Sequence, residues 1–146
     1  MSKICPSTNL LEEGLRHHQA GRIEAAAEKY RQALAADPRQ PDALHLLGVA
    51  AQSAGRLDEA VGLIRESLRI NPGNISAIND LAGALQEQAR YEDAAGYYEA
   101  AIEASPEAAY IHHNLGSVLR QLGRGDEAAA CHRRARELST SGQFAG

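Results

Sequence analysis

Histidines are the side chains of this sequence best suited to metal binding or proton transfer. The chain has six, and four of them form the adjacent pairs His17-His18 and His112-His113. Neighbouring side chains on a helix point about 100° apart, so neither pair can converge on one metal ion. Cys131 and His132 are adjacent and of types that zinc uses. We favour packing histidines over ligands and predict no metal site.

No catalytic pattern accompanies the histidines. The sequence lacks a nucleophile elbow, a glycine-rich phosphate loop, an HExxH motif and a paired-carboxylate signature. Its two cysteines, Cys5 and Cys131, stand near opposite ends of the chain and are expected to be free thiols. We therefore predict a protein that is not an enzyme and uses no cofactor.

Composition narrows the class of partner. The 146 residues carry a formal net charge of -4, which disfavours nucleic acid as a ligand. The basic cluster around Arg133 and Arg136 lies among acidic residues and is interpreted as a solvated helix face. No apolar run approaches the roughly 18 residues of a membrane span, and the N-terminus does not resemble a signal peptide. We predict a single cytoplasmic domain over residues 1–146 that does not bind membranes.

The sequence repeats itself with a period of 34 residues. Pro38, Pro72 and Pro106 mark this period. Three further rows keep it: Gly14, Gly48, Ala82 and Gly116; Ala26, Ala60, Ala94 and Ala128; and Tyr30, Ile64, Tyr98 and His132. The chain therefore divides into four copies, residues 7–40, 41–74, 75–108 and 109–142, followed by a tail at 143–146.

Each copy is predicted to be a pair of helices joined by a tight turn. Apolar residues recur at helical spacing on both sides of a short Gly-Arg or Ala-Arg step. Acidic residues follow each step, where the positive end of a helix dipole favours them. The four steps are Gly21-Arg22, Gly55-Arg56, Ala89-Arg90 and Gly123-Arg124.

Gly48 lies inside the first helix of the second copy, where glycine costs about 1 kcal/mol relative to alanine. We expect Gly48 to face Ala60 where the two helices cross. The missing side chain then lets the backbones approach closely, and the added contacts offset the cost.

This pattern resembles the tetratricopeptide repeat, a 34-residue unit with the landmarks W-x2-L-G-x2-Y, A-x3-F and P. In the second copy the landmark positions are held by Leu44, Leu47, Gly48, Ala60, Ile64 and Pro72. The resemblance implies an all-α, right-handed α-solenoid superhelix of four helix-turn-helix repeats. It also places His112 and His132 at landmark positions, where they could meet between the helices of the fourth repeat.

The resemblance further implies a concave groove, lined by the first helix of each repeat, that holds a peptide segment or a protein partner. The residues at groove positions are Leu11, Leu15, His45, Val49, Gln52, Asn79, Gln86, Tyr110, His113, Asn114 and Arg120. The clamp with which co-chaperone members hold a C-terminal carboxylate is absent, because Leu11 and Leu15 replace its first Lys and Asn. We predict a non-catalytic adaptor.

A second hypothesis comes from a finer resemblance. The first two copies look similar to repeats that precede bacterial O-linked N-acetylglucosamine transferases and related transferases. Those repeats carry a groove asparagine just before the Leu-Gly pair, and here Asn114 alone holds that place. The chain would then be a substrate-recruiting arm of a transferase system.

The first repeat differs from the middle ones. It has Asn9, Glu13 and Arg16 where later copies have apolar residues. Terminal units of a repeat array have one face that no neighbour covers. We expect these residues to form a polar edge that faces water.

The last repeat is expected to leave an apolar surface uncovered. Ile111, Val118 and Leu122 are predicted to lie where a further repeat would pack, and such a patch usually marks an interface. The tail, with Phe144, would fold back over this patch, or a second molecule would cover it. A scaffold that self-assembles through its C-terminal end is therefore a third hypothesis.

Overall fold

The protein is described by a computed structural model that covers the backbone of residues 6–144 and the side chains of residues 9–141. Across these residues all regular secondary structure is α-helical, and no strand occurs. The helices are α1 (Pro6–Gln19), α2 (Ile23–Ala36), α3 (Pro41–Ser53), α4 (Leu57–Ile70), α5 (Ile75–Glu87), α6 (Tyr91–Ala104), α7 (Ala109–Gln121) and α8 (Gly125–Phe144). Each predicted repeat contains one pair of helices, although α1 begins one residue before the first repeat and α8 extends beyond the last, and the all-α prediction is confirmed.

Each predicted turn between paired helices is present. The first residue of the step has a positive φ at all four positions: 80° at Gly21, 82° at Gly55, 61° at Ala89 and 78° at Gly123. The next N–H then donates back to a carbonyl in the last turn of the preceding helix, as from Arg56 to Ala51 over 2.8 Å. This is the Schellman arrangement, which satisfies carbonyls that the end of a helix leaves unpaired.

The row of small residues lies where paired helices cross, as predicted. A Cβ atom placed on Gly48 would lie 2.6 Å from Ile64 Cγ1 and 3.2 Å from the backbone oxygen of Ala60. The corresponding atom on Gly116 would lie 2.8 Å from the His132 ring. Neither site has room for a side chain, so close approach of the two backbones explains the glycines.

The chain forms two compact units, Met1–Ala77 and Ile78–Gly146. In the first unit α2 packs against both α1 and α3, and in the second α7 packs against both α6 and α8. The buried core cluster of the first unit consists of Ala26, Ala27, Tyr30, Leu47 and Ala50. The single domain over residues 1–146 stays a prediction.

The edge of the first repeat is polar, as expected. Asn9 and Arg16 are exposed, and Glu13 is half-buried. The Glu13 carboxylate pairs with the Lys29 ammonium over 3.0 Å, and this bond and charge lower the pKa of Glu13. The pair joins α1 to α2 at an edge where an apolar side chain would be left in water.

The expectation for the last repeat is wrong. Ile111 and Val118 are fully buried, and Leu122 is half-buried. The first two occupy the frame of Ala43 and Ala50 in α3, where Ala50 packs among residues of α2. Their face of α7 therefore turns towards α6, against which α7 packs. Ile111 and Val118 therefore offer no exposed surface through which two copies of the chain could associate.

The end of the chain also differs from the expectation. α8 has 20 residues and runs to Phe144, whereas α6 has 14. The predicted tail at 143–146 therefore begins as a continuation of α8. The side chain of Phe144 lies outside the described residues, so its packing against the rest of the protein stays a prediction.

Candidate partner-binding surfaces

A small pocket in the first unit gathers three of the predicted groove residues. Leu11 and Leu15 stand one helical turn apart on α1, and His45 faces them from α3. The cavity of about 270 Å³ is lined by Leu11, Glu12, Leu15, Asp42, His45 and Leu46. It therefore combines an apolar wall with two carboxylates.

The side chains of this pocket differ in exposure. Leu15 is 39% exposed and is, with Tyr110, one of two exposed large hydrophobic side chains among the described residues, whereas His45 is only 8% exposed. Val49 and Gln52 follow His45 at helical spacing and are half-buried. Leu15 is thus the apolar side chain that a ligand would cover first.

In the second unit the predicted groove amides bind one another. Asn114 Nδ2 on α7 donates to Asn79 Oδ1 on α5 over 2.9 Å. Gln86 Nε2 donates to Gln121 Oε1 over 2.8 Å, and the Tyr98 hydroxyl donates to Gln86 Oε1 over 3.1 Å. These bonds hold α5 against α6 and α7. They also occupy the hydrogen-bonding groups of Gln86 that a ligand would need. The sequence pattern did not point to Gln121.

Tyr98 keeps the proton that this network needs. The side chain is nearly fully buried, and burial together with the carboxylates of Asp80 and Glu87 raises the pKa of Tyr98 to about 12. The hydroxyl therefore remains a hydrogen-bond donor at neutral pH.

The remaining predicted groove residues of the second unit are accessible. Tyr110 is 52% exposed, and His113 and Arg120 are also exposed. All three lie on α7, where spacings of three and seven residues place them along one face. They offer an aromatic ring, an imidazole and a guanidinium to a ligand.

A second, larger pocket lies between α7 and α8. Its volume is about 760 Å³, and it is lined by His113, Ser117, Arg120, His132, Ala135, Arg136, Ser139 and Thr140. The rings of His113 and His132 meet edge-on, with centroids 5.0 Å apart. The expected meeting of His112 with His132 is therefore wrong, because His112 Nε2 instead lies 2.8 Å from the Pro106 carbonyl oxygen.

Positive charge dominates this second pocket. Burial and the positive charges of Arg120, His113 and Arg136 lower the pKa of His132. Within residues 9–141 neither Arg120 nor Arg136 forms an ion pair with a carboxylate. His132 Nε2 is buried and has no hydrogen-bond partner there. The sequence analysis did not predict the α8 side of the pocket. One signal was present: Arg136 holds the repeat position that is apolar in the three earlier copies, where it is Leu34, Leu68 and Ile102.

Metal and thiol chemistry find no support in the described part of the chain. It contains no cluster of three or more His, Cys, Asp or Glu side chains that could hold a metal ion. Burial raises the pKa of the Cys131 thiol, and Glu127 and Glu99 raise it further, so this thiol is not activated. Cys5 lies outside the described residues. None of the described helices is both long and apolar enough to cross a membrane.

A family comparison decides the identity of the fold. The model of the tetratricopeptide repeat matches residues 11–75 and 79–142, nearly the whole chain. The chain belongs to the tetratricopeptide repeat family. Its fold class is the helical solenoid of tetratricopeptide repeats, whose members act as protein-interaction adaptors.

Solved structures of other proteins share this fold. A crystal structure of MamA is 20% identical, with a TM-score of 0.87 over 94% of this chain and 81% of that one. A thermophilic tetratricopeptide protein of Thermus thermophilus, TTC0263, is 24% identical, with a TM-score of 0.80 over 90% and 74%. Among curated proteins, none is significantly similar in sequence.

Proposed function

We propose that this tetratricopeptide protein is a non-catalytic adaptor that captures a peptide segment of a protein partner on the first helices of its repeats. The family supplies the general role in protein interaction. The absence of enzymatic activity and the cytoplasmic location stay predictions.

The observation that carries the proposal is the pocket between α1 and α3. It brings together Leu11, Leu15 and His45, which sit at groove positions, and it leaves Leu15 substantially exposed. An apolar side chain of a peptide would cover Leu15 and gain free energy from the water it displaces. The carboxylates of Glu12 and Asp42 at the same pocket favour a basic residue beside that anchor.

In the second unit, exposed α7 side chains would contact the same kind of ligand. The Tyr110 ring offers apolar area, while the His113 imidazole and the Arg120 guanidinium can bond to backbone or side-chain groups. Asn79 and Asn114 satisfy one another in part, and each retains a polar group for a peptide amide.

The proposal is tested by selecting binding peptides from a random-peptide display library on the wild-type protein. Affinities of the selected peptides are then measured by fluorescence anisotropy for Leu15→Asp, His45→Ala and His113→Ala. We expect Leu15→Asp to weaken binding about tenfold or more, because it replaces an apolar contact with a charge.

The matched control is Ala35→Asp, which adds the same charge at an exposed position of α2. It should leave affinity within about twofold. If the groove variants bind as tightly as the wild type, or if Ala35→Asp is as harmful as Leu15→Asp, the groove is not the binding surface.

Recruitment of substrates for a transferase is the alternative function, and it depends on Asn114. This residue stands just before Leu115-Gly116, and its amide bonds to Asn79. Under this alternative, Asn114→Ala should weaken the capture of serine- and threonine-rich acceptor peptides while sparing peptides anchored at Leu15. Equal effects of Asn114→Ala on both peptide classes would count against it.

A further inference from the structure

The local charge of the pocket between α7 and α8 is opposite in sign to the net charge of the protein. The chain as a whole is acidic, with a formal net charge of -4. Yet two arginines and two histidines line this pocket, and none of its described lining residues is an aspartate or glutamate. Excess positive charge is therefore concentrated at one concave site on an acidic protein.

The arginines of this pocket differ from those at the turns between paired helices. Arg56, Arg90 and Arg124 each pair with a carboxylate three residues later, over distances from 2.6 to 3.0 Å. Arg120 and Arg136 have no such partner within residues 9–141, although both are exposed and able to form one. Their guanidinium groups are thus available to an anion from outside.

The histidines point to the same ligand. His113 is exposed at the pocket, whereas His132 Nε2 lies against Gly116 at the crossing of α7 and α8 and is buried there without a hydrogen-bond partner among the described residues. The His132 ring packs edge-on against His113, and within residues 9–141 no carboxylate is hydrogen-bonded to it. A carboxylate entering the pocket would accept a hydrogen bond from an N–H of the exposed His113 imidazole and offset the repulsion between the cationic groups.

The hydroxyls contribute less. Ser117 Oγ and Thr140 Oγ1 donate to the carbonyls of His113 and Arg136, one helical turn earlier. Their protons are therefore used within the helices, and the charged side chains must provide the recognition. Because Arg120 and Arg136 lie on different helices, the pocket suits more than one carboxylate along a peptide.

We propose that the α7–α8 pocket binds the carboxylates of an acidic peptide segment carried by the protein partner. This inference rests on the adaptor function proposed above and names the chemistry of its ligand in the second unit. A nucleic acid fits less well, because the positive charge is confined to one pocket and the net charge of the protein repels a polyanion.

The test uses the full-length protein and two fluorescein-labelled peptides, hexaglutamate and hexaglutamine. Anisotropy at low ionic strength should show binding of hexaglutamate and none of hexaglutamine. Arg120→Gln and Arg136→Gln should each weaken hexaglutamate binding about tenfold, because each removes one charged hydrogen-bond donor. Addition of the peptide should also raise the pKa of His132, as followed by its imidazole NMR signals.

Arg133→Gln is the matched control. Arg133 is exposed on α8 and does not line the pocket, and its substitution changes the net charge by the same amount. It should alter affinity by no more than about twofold. Circular dichroism melts of the variants would show that the fold is intact.

Three results would overturn the proposal: no binding of hexaglutamate, an equal loss with Arg133→Gln, or tighter binding of a short DNA duplex than of the peptide. These results are separable from those of the groove test. If Leu15→Asp abolishes peptide capture but hexaglutamate does not bind, the adaptor function stands and the acidic ligand does not. If hexaglutamate binds while Leu15→Asp and His45→Ala capture the selected peptides as the wild type does, the groove proposal alone fails; His113→Ala is left out of this comparison because His113 also lines the α7–α8 pocket.

Discussion

At the scale of single residues, Ala89 departs from the pattern of its repeat. The other three turns place glycine at the residue with positive φ, whereas the third places alanine there at 61°. A left-handed conformation costs a residue with a Cβ atom about 1–2 kcal/mol. The third turn is therefore formed against a local preference that packing on either side overcomes.

We predict that Ala89→Gly stabilises the protein by about 1 kcal/mol, because glycine adopts this φ without a steric cost. The matched control is Ala100→Gly, at an exposed position inside α6, which should destabilise by about 1 kcal/mol. Urea denaturation followed by circular dichroism measures both changes. A change of the free energy of unfolding in the same direction for both variants would contradict this account of the turn.

The titration of His132 is the second test at this scale. Burial and three cationic neighbours lower its pKa from the ordinary value of 6.5. The folded state therefore binds fewer protons than the unfolded state near that pH, and stability should decrease as pH falls through the unfolded value. NMR titration of the imidazole should show the lowered pKa directly.

Arg136→Gln should raise this pKa, whereas Arg133→Gln should leave it nearly unchanged, because only Arg136 lines the pocket. A pKa of His132 at or above its ordinary value in the wild-type protein would contradict this account, because it would show that other groups already neutralise the positive charges of Arg120, His113 and Arg136.

At the scale of helices, contact between paired helices depends on a small residue in the first and a larger one in the second. Gly48 meets Ile64, and Gly116 meets His132. In the third repeat Ala82 holds the same frame and is fully buried, so the requirement is for small size. Shape, more than the conformational freedom of glycine, selects the residue.

We predict that Gly48→Leu destabilises the protein by about 3 kcal/mol, because the side chain would overlap Ile64 and the Ala60 backbone. Gly62→Leu is the control. Gly62 lies in α4 with open space around its Cβ position, and substitution there should stabilise by several tenths of a kcal/mol through helix propensity. An unchanged thermal midpoint for Gly48→Leu would mean that the helices separate at little cost.

At the scale of the whole molecule, the protein has a net negative charge, and the structure adds a cationic pocket between α7 and α8. Net charge governs long-range encounter, whereas a pocket acts only at contact distances in salt. The protein should therefore discriminate between an acidic peptide, which can enter the pocket, and a rigid polyanion, which cannot.

We expect no measurable binding to a labelled DNA duplex at physiological salt, with a dissociation constant weaker than about 100 μM. Fluorescence anisotropy measures this, and Arg120→Gln should make no difference to it. Micromolar binding to DNA would show that local charge outweighs the net charge of -4.

The sequence by itself determined the repeat period, the pairing of helices, the turns at Gly55 and Ala89 and the small residue at each helix crossing. These features depend on local geometry, because apolar spacing and a positive φ act within a few residues. Only the tertiary structure decided that Ile111 and Val118 are buried, that His113 rather than His112 meets His132, and that Arg136 shares a pocket with Arg120. Periodicity shows which residues share a face of a helix, but which neighbour covers that face depends on contacts between distant segments.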